Sequence, residues 1–175
     1  MNSKLWIIIA TIFALALFRL GQWIPNVSPI AAMALFAGAQ FTDRKMAFIV
    51  PLSALLLSDL LLGLHSSMLF VYAAFAIIVA LGRLIRHRQD FWSVLLATLG
   101  GSLLFFLLTN FGSWLSHDNY AADISGLMQS YIAGIPFYRN TLIGDLLFSA
   151  LLFGGYQLIS NRWNSYSAQA NAPTR

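Results

Sequence analysis

Apolar runs separated by short polar stretches make up most of the chain, and their lengths suit helices that cross a membrane. A spanning helix needs about 20 apolar residues, and a shorter one must be buried by the rest of the protein. The pattern predicts an all-α membrane protein, a bundle of six transmembrane helices at residues 5–23, 28–41, 46–64, 68–85, 91–115 and 141–160. These helices would form one domain over residues 1–160, and the polar tail 161–175 is predicted to be disordered.

The polar stretch between the fifth and sixth runs, SHDNYAADISGLMQSYIAGIPFYRN, carries a further helical pattern. Asp118 or Asn119 can cap a helix start, and Gly134 followed by Pro136 can end it. The residues that share one face at helical spacing are Tyr120, Ile124, Leu127, Met128 and Tyr131. We predict an amphipathic helix over residues 119–133 that lies on the outer surface or folds down over the bundle. An ordinary interfacial connector is the alternative.

The basic residues favour one orientation. If both termini are cytoplasmic, eight basic residues lie inside and only two, Arg19 and Arg139, lie outside. The eight are Lys4, Arg44, Lys45, Arg83, Arg86, Arg88, Arg162 and Arg175. Because short cytoplasmic loops carry an excess of Lys and Arg, this count supports six spans with both termini inside.

Composition agrees with this picture, since the chain is 59% hydrophobic and only 9% charged, whereas soluble domains carry about 25% charged residues. The basic residues are scattered between apolar runs, so we expect no nucleic-acid partner. There is no cysteine, which excludes disulfides, thiolate metal sites and a cysteine nucleophile. ALA at 14–16 has the spacing of a signal-peptide cleavage site, but it lies inside the apolar run, so we favour a retained first helix.

Polar side chains gather at the outer ends of the predicted helices. Two sets repeat at helical spacing, Asn110, Trp114 and His117 on the fifth helix and Thr141, Asp145 and Ser149 on the sixth. Because lipid offers no hydrogen-bond partner, such stripes turn toward protein or water. They predict a shared outward-facing pocket formed by Asn26, Ser28, Asp59, His65, Tyr72, Asn110, Trp114, Tyr131, Arg139, Asn140 and Asp145. A ligand ring could stack on Trp23, Tyr72, Trp114, Tyr120 or Tyr131.

The second helix adds a candidate anion site. In NVSPIAAMALFAGA, Ser28 is a good N-cap and Pro29 suits the first helical position. The free amides and partial positive charge of this helix start would face the pocket and suit an anionic ligand group. An ordinary capped helix end is the alternative.

Asp59 and Asp145 each allow three roles. A buried aspartate can pair with Arg19, Arg139 or a backbone amide, it can bind a hydroxyl, amine or ring N–H of a ligand, or it can relay protons. The histidines at 65 and 117 could touch a ligand, but we favour structural or interfacial roles for both. Their spacing predicts no metal site, and no cofactor is predicted.

Ala10 and Ala14 lie four residues apart on the inner half of the first helix. Small residues at this spacing let helices approach closely, so this face could dock another membrane subunit. Similar pairs recur in the other Ala- and Gly-rich runs, so the spacing alone is a weak signal.

Four segments, NVSPIAAMALFAGA, PLSALLLSDLLLG, TNFGSWL and YIAGIPFYRNTLIGDLLF, resemble an uncharacterised family of bacterial membrane proteins. That family is similar to the S component, the substrate-binding subunit, of energy-coupling-factor vitamin transporters. The resemblance covers residues 20–158 and implies a bundle in the bacterial cytoplasmic membrane that binds a vitamin or similar small molecule from outside. It also implies partners, namely a membrane coupling protein, which would contact Ala10 and Ala14, and two ATPases.

We therefore expect a substrate-binding subunit for uptake of a small polar or aromatic molecule, and not an enzyme. No GxxxxGK[ST] loop occurs in the sequence, so ATP hydrolysis would come from a partner. A non-transporting scaffold, whose polar groups only connect helices, is the alternative. An intramembrane enzyme built on Asp59 and His65 is less favoured, because no serine stands in a recognisable nucleophile setting.

Overall fold

A computed structural model describes residues 3–21, 26–116 and 120–170, with side chains between Leu5 and Arg162. Within these ranges the protein is all-α and contains no strand. Its helices are α1 (Ser3–Phe18), α2 (Ile30–Gln40), α3 (Arg44–Leu62), α4 (Met68–Leu84), α5 (Phe91–Ser116) and α6 (Ile124–Ala170), with a 3₁₀ turn at Arg19–Gly21. The hydrophobic pattern locates the first five correctly, although α1 ends before the predicted Trp23, which lies outside the described residues.

Five helices form a ring around the short helix α2. Helix α1 packs on α3, α3 on α4, α4 on α5 and α5 on α6, and the rings of Phe18 and Phe148 meet edge to face where α6 returns to α1. Helix α2 contacts all five, and every residue from Ile30 to Ala39 is buried. Its central position explains why α2 is apolar on all sides and why a helix too short to span is stable there.

Helices α2 and α4 touch through two glycines. A Cβ added at Gly38 would overlap the carbonyl oxygen of Val79, and a Cβ added at Gly82 would overlap that of Leu35. Each glycine therefore lets the two backbones come into direct contact, as small residues do between membrane helices. This contact joins the C-terminal ends of α2 and α4.

Aspartate side chains cap three of the helices. Asp43 caps α3, Asp90 caps α5 and Asp123 caps α6, each accepting a backbone N–H of the first turn at 2.7–3.2 Å. Such caps satisfy amides that have no partner within the helix. The sequence predicts Asp118 or Asn119 as the cap of the last segment, but both lie outside the described residues, and the helix begins later, after Asp123.

Helix α6 is one continuous helix of 47 residues, where the sequence predicts two helices over 119–133 and 141–160. It is about 70 Å long, more than twice the thickness of a hydrocarbon core of about 30 Å. The prediction of a separate amphipathic helix is therefore wrong. The helix also includes residues 161–170, part of the tail that the sequence predicts to be disordered, and residues 171–175 lie outside those described.

Contacts with α5 explain why the chain stays helical through Gly134 and Pro136, which the sequence marks as a helix end. Gly134 is buried against the side chain of Asn110, and the Tyr131 hydroxyl donates to the carbonyl oxygen of Leu107 at 3.0 Å. Pro136 lacks an N–H and cannot donate within the helix. Packing on α5 outweighs this local cost.

Part of the apolar face at the start of α6 points away from the bundle. Gly126, Ser130 and Gly134, spaced four apart, are buried against the protein. Ile124 and Met128 are 78% and 59% exposed. Small residues toward a neighbouring helix and large apolar residues outward are the arrangement that suits a helix in lipid. Ile124 and Met128 of the predicted face thus point away from the bundle, whereas Tyr131 of the same face packs on α5.

Three helices, α3, α5 and the Ile124–Arg162 part of α6, are long and apolar enough to cross a membrane, and α1, α2 and α4 are shorter apolar helices. Large apolar side chains are exposed around the ring, among them Leu60, Leu69 and Leu96. Soluble monomers rarely expose apolar surface on this scale. The fold is therefore consistent with a membrane protein.

Candidate functional site

A buried ion pair connects three elements at one end of the bundle. Asp59, in the last turn of α3, is 1% exposed and pairs with Arg19 of the 3₁₀ turn. Tyr72 of α4 donates its hydroxyl to the other carboxylate oxygen at 3.0 Å, and Arg19 also donates to Ser58 Oγ at 2.8 Å. In this Asp59 cluster (Arg19, Ser58, Asp59 and Tyr72), both carboxylate oxygens have protein partners. The sequence allows Arg19, Arg139, a backbone amide or a ligand as the partner of Asp59. The structure shows Arg19 in that role.

A cavity of about 200 Å³ lies between α5 and α6, beside the loop that precedes α2. Its lining residues are Asn26, Phe105, Phe106, Thr109, Asn110, Gly134, Phe137, Tyr138 and Thr141. Four of them are aromatic, four others carry neutral amide or hydroxyl groups, and none is charged. The volume is below the roughly 300–1,000 Å³ of pockets for drug-sized ligands. This α5–α6 cavity therefore suits a small uncharged molecule with a ring and a few hydrogen-bonding groups.

Helical spacing brings these side chains together. The lining comes from positions 105, 106, 109 and 110 on one face of α5 and from positions 134, 137, 138 and 141 on the facing side of α6. Asn110 donates its amide to the carbonyl oxygen of Phe106 at 2.8 Å. A Cβ at Gly134 would overlap the side-chain oxygen of Asn110. Gly134 thus makes room for the amide that the cavity presents.

Two other residues of the predicted pocket form hydrogen bonds near the connection between α5 and α6. Trp114 donates its indole N–H to the carbonyl oxygen of Ala121 at 2.9 Å, and Tyr131 bonds to Leu107 as described above. The Tyr131 ring also contacts Phe106 of the cavity wall, with centroids 5.8 Å apart. Both side chains therefore position the cavity walls and do not line the cavity.

Asp145 is a second buried carboxylate, at 2% exposure. Ser102 of α5 donates to it at 2.5 Å, and one turn further on Thr98 donates to Ser149 at 3.0 Å. Thr98, Asp145 and Ser149 also line a small cavity of about 10 Å³. The polar stripe of α6 thus faces protein as predicted, with Thr141 in the α5–α6 cavity and the other two residues in this Asp145 cluster (Thr98, Ser102, Asp145 and Ser149).

The start of α2 differs from the prediction that Ser28 is its N-cap. Pro29 occupies the cap position, its carbonyl oxygen accepts from the N–H of Met33 at 2.8 Å, and no side chain caps the helix. The Ser28 hydroxyl is buried and has no hydrogen-bond partner among the described residues. Gly144 of α6 lies against the backbone of this loop, at Val27 and Ser28.

The predicted anion site at this helix start faces a carboxylate of the protein itself. Ala31 and Ala32, in the first turn of α2, line the same small cavity as Asp145. A carboxylate near the first turn interacts favourably with the helix dipole. Asp145 thus occupies the surroundings that the sequence assigned to an anionic ligand group.

The remaining predicted residues are not part of the α5–α6 cavity. His65 is exposed in the α3–α4 loop, Arg139 is exposed on α6, and Asn140 is half-buried outside the cavity lining. Trp23 and His117 lie outside the described residues. The single predicted pocket is therefore divided into the Asp59 cluster, the α5–α6 cavity and the Asp145 cluster.

Ala10 and Ala14 are exposed on one face of α1. Trp6 and Phe18, exposed on the same helix, lie one turn before and after them. The described part of the chain leaves this face accessible to another molecule.

Sequence reasoning missed the aromatic wall of the cavity and two residues of the Asp145 cluster, Thr98 and Ser102. Phe106 lies one turn before Asn110, and Tyr138 lies one turn before the polar stripe of α6. That periodicity could have indicated both rings. Ser102 gave no signal, because a lone serine between glycine and leucine residues is common in apolar helices.

Fold and site together define an all-α, membrane-type protein with an uncharged cavity between two long helices. Beside the cavity lies a buried carboxylate, Asp145, that forms no ion pair within the described ranges. The chain belongs to a family of unknown function, DUF6580, whose model matches residues 1–169. No curated protein and no solved structure matches the chain.

Proposed function

We propose that the chain crosses the bacterial inner membrane six times, with both termini in the cytoplasm. The three long apolar helices and the exposed apolar side chains of the ring support this. Arg83 and Arg86 donate to the carbonyl oxygens of Phe41 and Thr42, both at 3.4 Å, so the two most basic connections meet at one end. That end would be cytoplasmic, and the α5–α6 cavity would lie in the opposite half.

We further propose that the protein is a membrane-embedded substrate-binding subunit for uptake of a small molecule. The observation that carries this proposal is the α5–α6 cavity with its aromatic and neutral polar lining. Phe106 and Tyr138, with centroids 4.8 Å apart, form a wall for a planar ring, while Asn110 and Thr141 offer hydrogen bonds to its edge. Because no lining residue is charged, the ligand would be neutral. A larger ligand would have to displace Phe137, which is 54% exposed.

An energising partner is part of the proposal. The resemblance to S components suggests a membrane coupling protein with two ATPases. The exposed face of Ala10 and Ala14 supports a docking role, since small residues allow a partner helix to approach closely. Ligand release to the cytoplasm would then depend on that partner.

A non-transporting scaffold is the second candidate, and the Asp59 cluster favours it. Each polar group of that cluster has a partner within the protein. The Gly38–Gly82 contact likewise holds the C-terminal ends of α2 and α4 together. In a pure scaffold the α5–α6 cavity would be only a packing defect open to lipid.

Mass spectrometry of small molecules that co-purify with the detergent-solubilised protein separates the two candidates. The proposal predicts that one compound recurs with the wild-type protein and is lost in Asn110→Leu, which removes the amide and keeps similar volume. Gln157→Leu, an exposed change further along α6, is the matched control and should retain the compound. Recovery of no compound, or equal recovery in both variants, would favour the scaffold.

A further inference from the structure

A cluster of cationic side chains lies at the end of the bundle where the α2–α3 and α4–α5 connections meet. It consists of Arg44, Lys45, Arg83, Arg86 and Arg88. The same connections carry two carboxylates, of which Asp43 accepts the backbone N–H that caps α3. Among the described side chains, only Arg88 of these five forms an ion pair, with Asp90. This basic end (residues 41–45 and 83–92) therefore has an excess of positive charge.

Hydrogen bonds hold the two connections together and position the cations. Gln89 accepts from Gln40 at 2.8 Å and donates to the carbonyl oxygen of Arg86 at 2.9 Å. Arg83 and Arg86 each donate one hydrogen bond, at 3.4 Å, to a carbonyl oxygen of the α2–α3 connection. A guanidinium has five N–H donors, so each of these side chains has further donors that an external acceptor can use.

Large apolar side chains are exposed directly beside these cations. Leu84 ends α4, Phe91 and Trp92 begin α5, and each is at least 66% exposed. The two aromatic rings are in contact, with centroids 5.1 Å apart. Aromatic residues of membrane proteins concentrate at the level of the lipid headgroups. The basic end thus presents phosphate-binding groups next to side chains that suit acyl chains.

We propose that the basic end binds a phospholipid whose headgroup carries a net negative charge, in the cytoplasmic leaflet. The headgroup phosphate would accept hydrogen bonds from Arg83 and Arg86, and the exposed Arg44 and Lys45 add attraction. The proposal rests on the membrane topology proposed above. It is independent of solute binding, because no residue of the basic end lines the α5–α6 cavity.

The apolar neighbours favour a lipid over a soluble anion. A free phosphate compound would gain nothing from Leu84 or Trp92, whereas the acyl chains of a lipid lie against such side chains. The charge excess favours an anionic lipid over a zwitterionic one. A zwitterionic headgroup would bring its own positive charge to a surface that is already cationic, and like charges repel.

Native mass spectrometry of the delipidated, detergent-solubilised protein tests the site. The protein is titrated with phosphatidylglycerol or phosphatidylethanolamine that carry identical acyl chains. Phosphatidylglycerol should bind at least about tenfold more tightly, and added salt should reduce this preference because it screens exposed charges. Glycerol 3-phosphate, which has the phosphate but no acyl chain, should not bind at concentrations at which the anionic lipid saturates the protein.

Variants assign the preference to these residues. Arg83→Gln and Arg86→Gln should each weaken phosphatidylglycerol binding about fivefold and leave phosphatidylethanolamine binding unchanged. Arg83→Lys keeps the charge and should retain most of the preference. The double variant Arg44→Gln, Lys45→Gln changes only exposed side chains, so the test survives if the other variants do not fold. Arg139→Gln removes an exposed cation outside the basic end and is the matched control, which should bind as wild type.

Four results would overturn the proposal. Equal affinity for the two lipids would show that the basic end does not select a charged headgroup. An unchanged preference in every variant of the basic end would place the lipid elsewhere. A loss in Arg139→Gln as large as in Arg83→Gln would assign the attraction to net charge. Saturable binding of glycerol 3-phosphate would replace the lipid with a soluble phosphate compound. None of these results depends on the solute that the α5–α6 cavity is proposed to bind.

Discussion

Asp59 on α3 and Asp145 on α6 are both almost fully buried, but only Asp59 has a cationic partner among the described residues. Arg19, Ser58 and Tyr72 surround Asp59 and connect the 3₁₀ turn to α3 and α4. Asp145 meets hydroxyl groups and a void. A carboxylate whose two oxygens both have protein partners, as in Asp59, is typical of a structural connection. A carboxylate that borders a void, as Asp145 does, leaves space for a further partner.

The two carboxylates also differ in whether a cavity lies beside them. Both cavities described above are lined by residues of α5 and α6. The Asp59 cluster lines neither of them. The difference is consistent with a structural role for the α1–α3–α4 side and with the binding proposed for the α5–α6 side, and the measurements below can break or sharpen this division.

The largest effect is expected for Asp59→Ala. This change leaves the Arg19 guanidinium, whose side chain is 19% exposed, without its carboxylate. Breaking a fully buried ion pair costs about 3–5 kcal/mol, and we expect a loss toward the lower end of that range. Denaturation of the protein in detergent by SDS, followed by circular dichroism, measures the free energy of unfolding. A loss below about 1 kcal/mol would show that Asp59 is not a structural residue.

The double variant Arg19→Met with Asp59→Leu is its control. Replacing both charges by apolar residues of similar size is often neutral or stabilising. The double variant should therefore recover most of the stability lost in Asp59→Ala. If it is as unstable as the single variant, the cluster contributes through some contact other than the ion pair.

A smaller effect is expected for Tyr72→Phe. It removes one hydrogen bond to a charged carboxylate, worth about 1.5–3 kcal/mol, and leaves the Arg19–Asp59 pair in place. The same SDS titration measures it. An effect as large as that of Asp59→Ala would mean that the tyrosine, and not the arginine, is the main partner.

Asp145→Asn should change stability by less than about 1 kcal/mol, in contrast to Asp59→Ala. The amide can still accept from Ser102, and a charge without a cationic partner is removed. The same SDS titration tests this. Destabilisation as large as that expected for Asp59→Ala would remove the distinction between the two carboxylates.

The smallest effect concerns Asp90, the exposed cap of α5. Hydrogen bonds from the Ser93 side chain and then from its backbone lower the pKa of Asp90 from 3.8 to about 2, with a smaller contribution from Arg88. Because the folded pKa is the lower one, this stabilisation is complete above about pH 4 and is lost as pH falls through about 2. In Ser93→Ala the pKa should rise toward 3.8, as measured by NMR titration of the carboxyl group. An unchanged pKa would contradict the role of Ser93.

The helix positions follow from the sequence because apolar runs in this chain end at polar or glycine residues. Helices α3, α4 and α5 begin and end within about two residues of the prediction. The break predicted at Gly134 and Pro136 failed for a tertiary reason, namely the packing of α6 on α5. The spacing of Gly126, Ser130 and Gly134 could have indicated that packing, since small residues four apart mark helix contacts.

The site could be predicted only in part. Periodicity identifies Asn110, Thr141 and Asp145 as residues that face protein, because polar side chains avoid lipid. It cannot choose a partner for Asp59, since Arg19 is distant in sequence and becomes its neighbour only when α1 packs on α3. Periodicity also led to one predicted pocket for all the polar groups at the outer helix ends. The spacing of residues gives their level along a helix but not the neighbouring helix that they face.

Native mass spectrometry of two variants side by side tests the division most directly. Asn110→Leu alters the α5–α6 cavity, and the Arg19→Met, Asp59→Leu double variant alters the other side. We predict that the co-purifying small molecule is lost from the first and retained by the second. Its loss from the double variant with retention in Asn110→Leu would contradict the assignment of binding to the α5–α6 side.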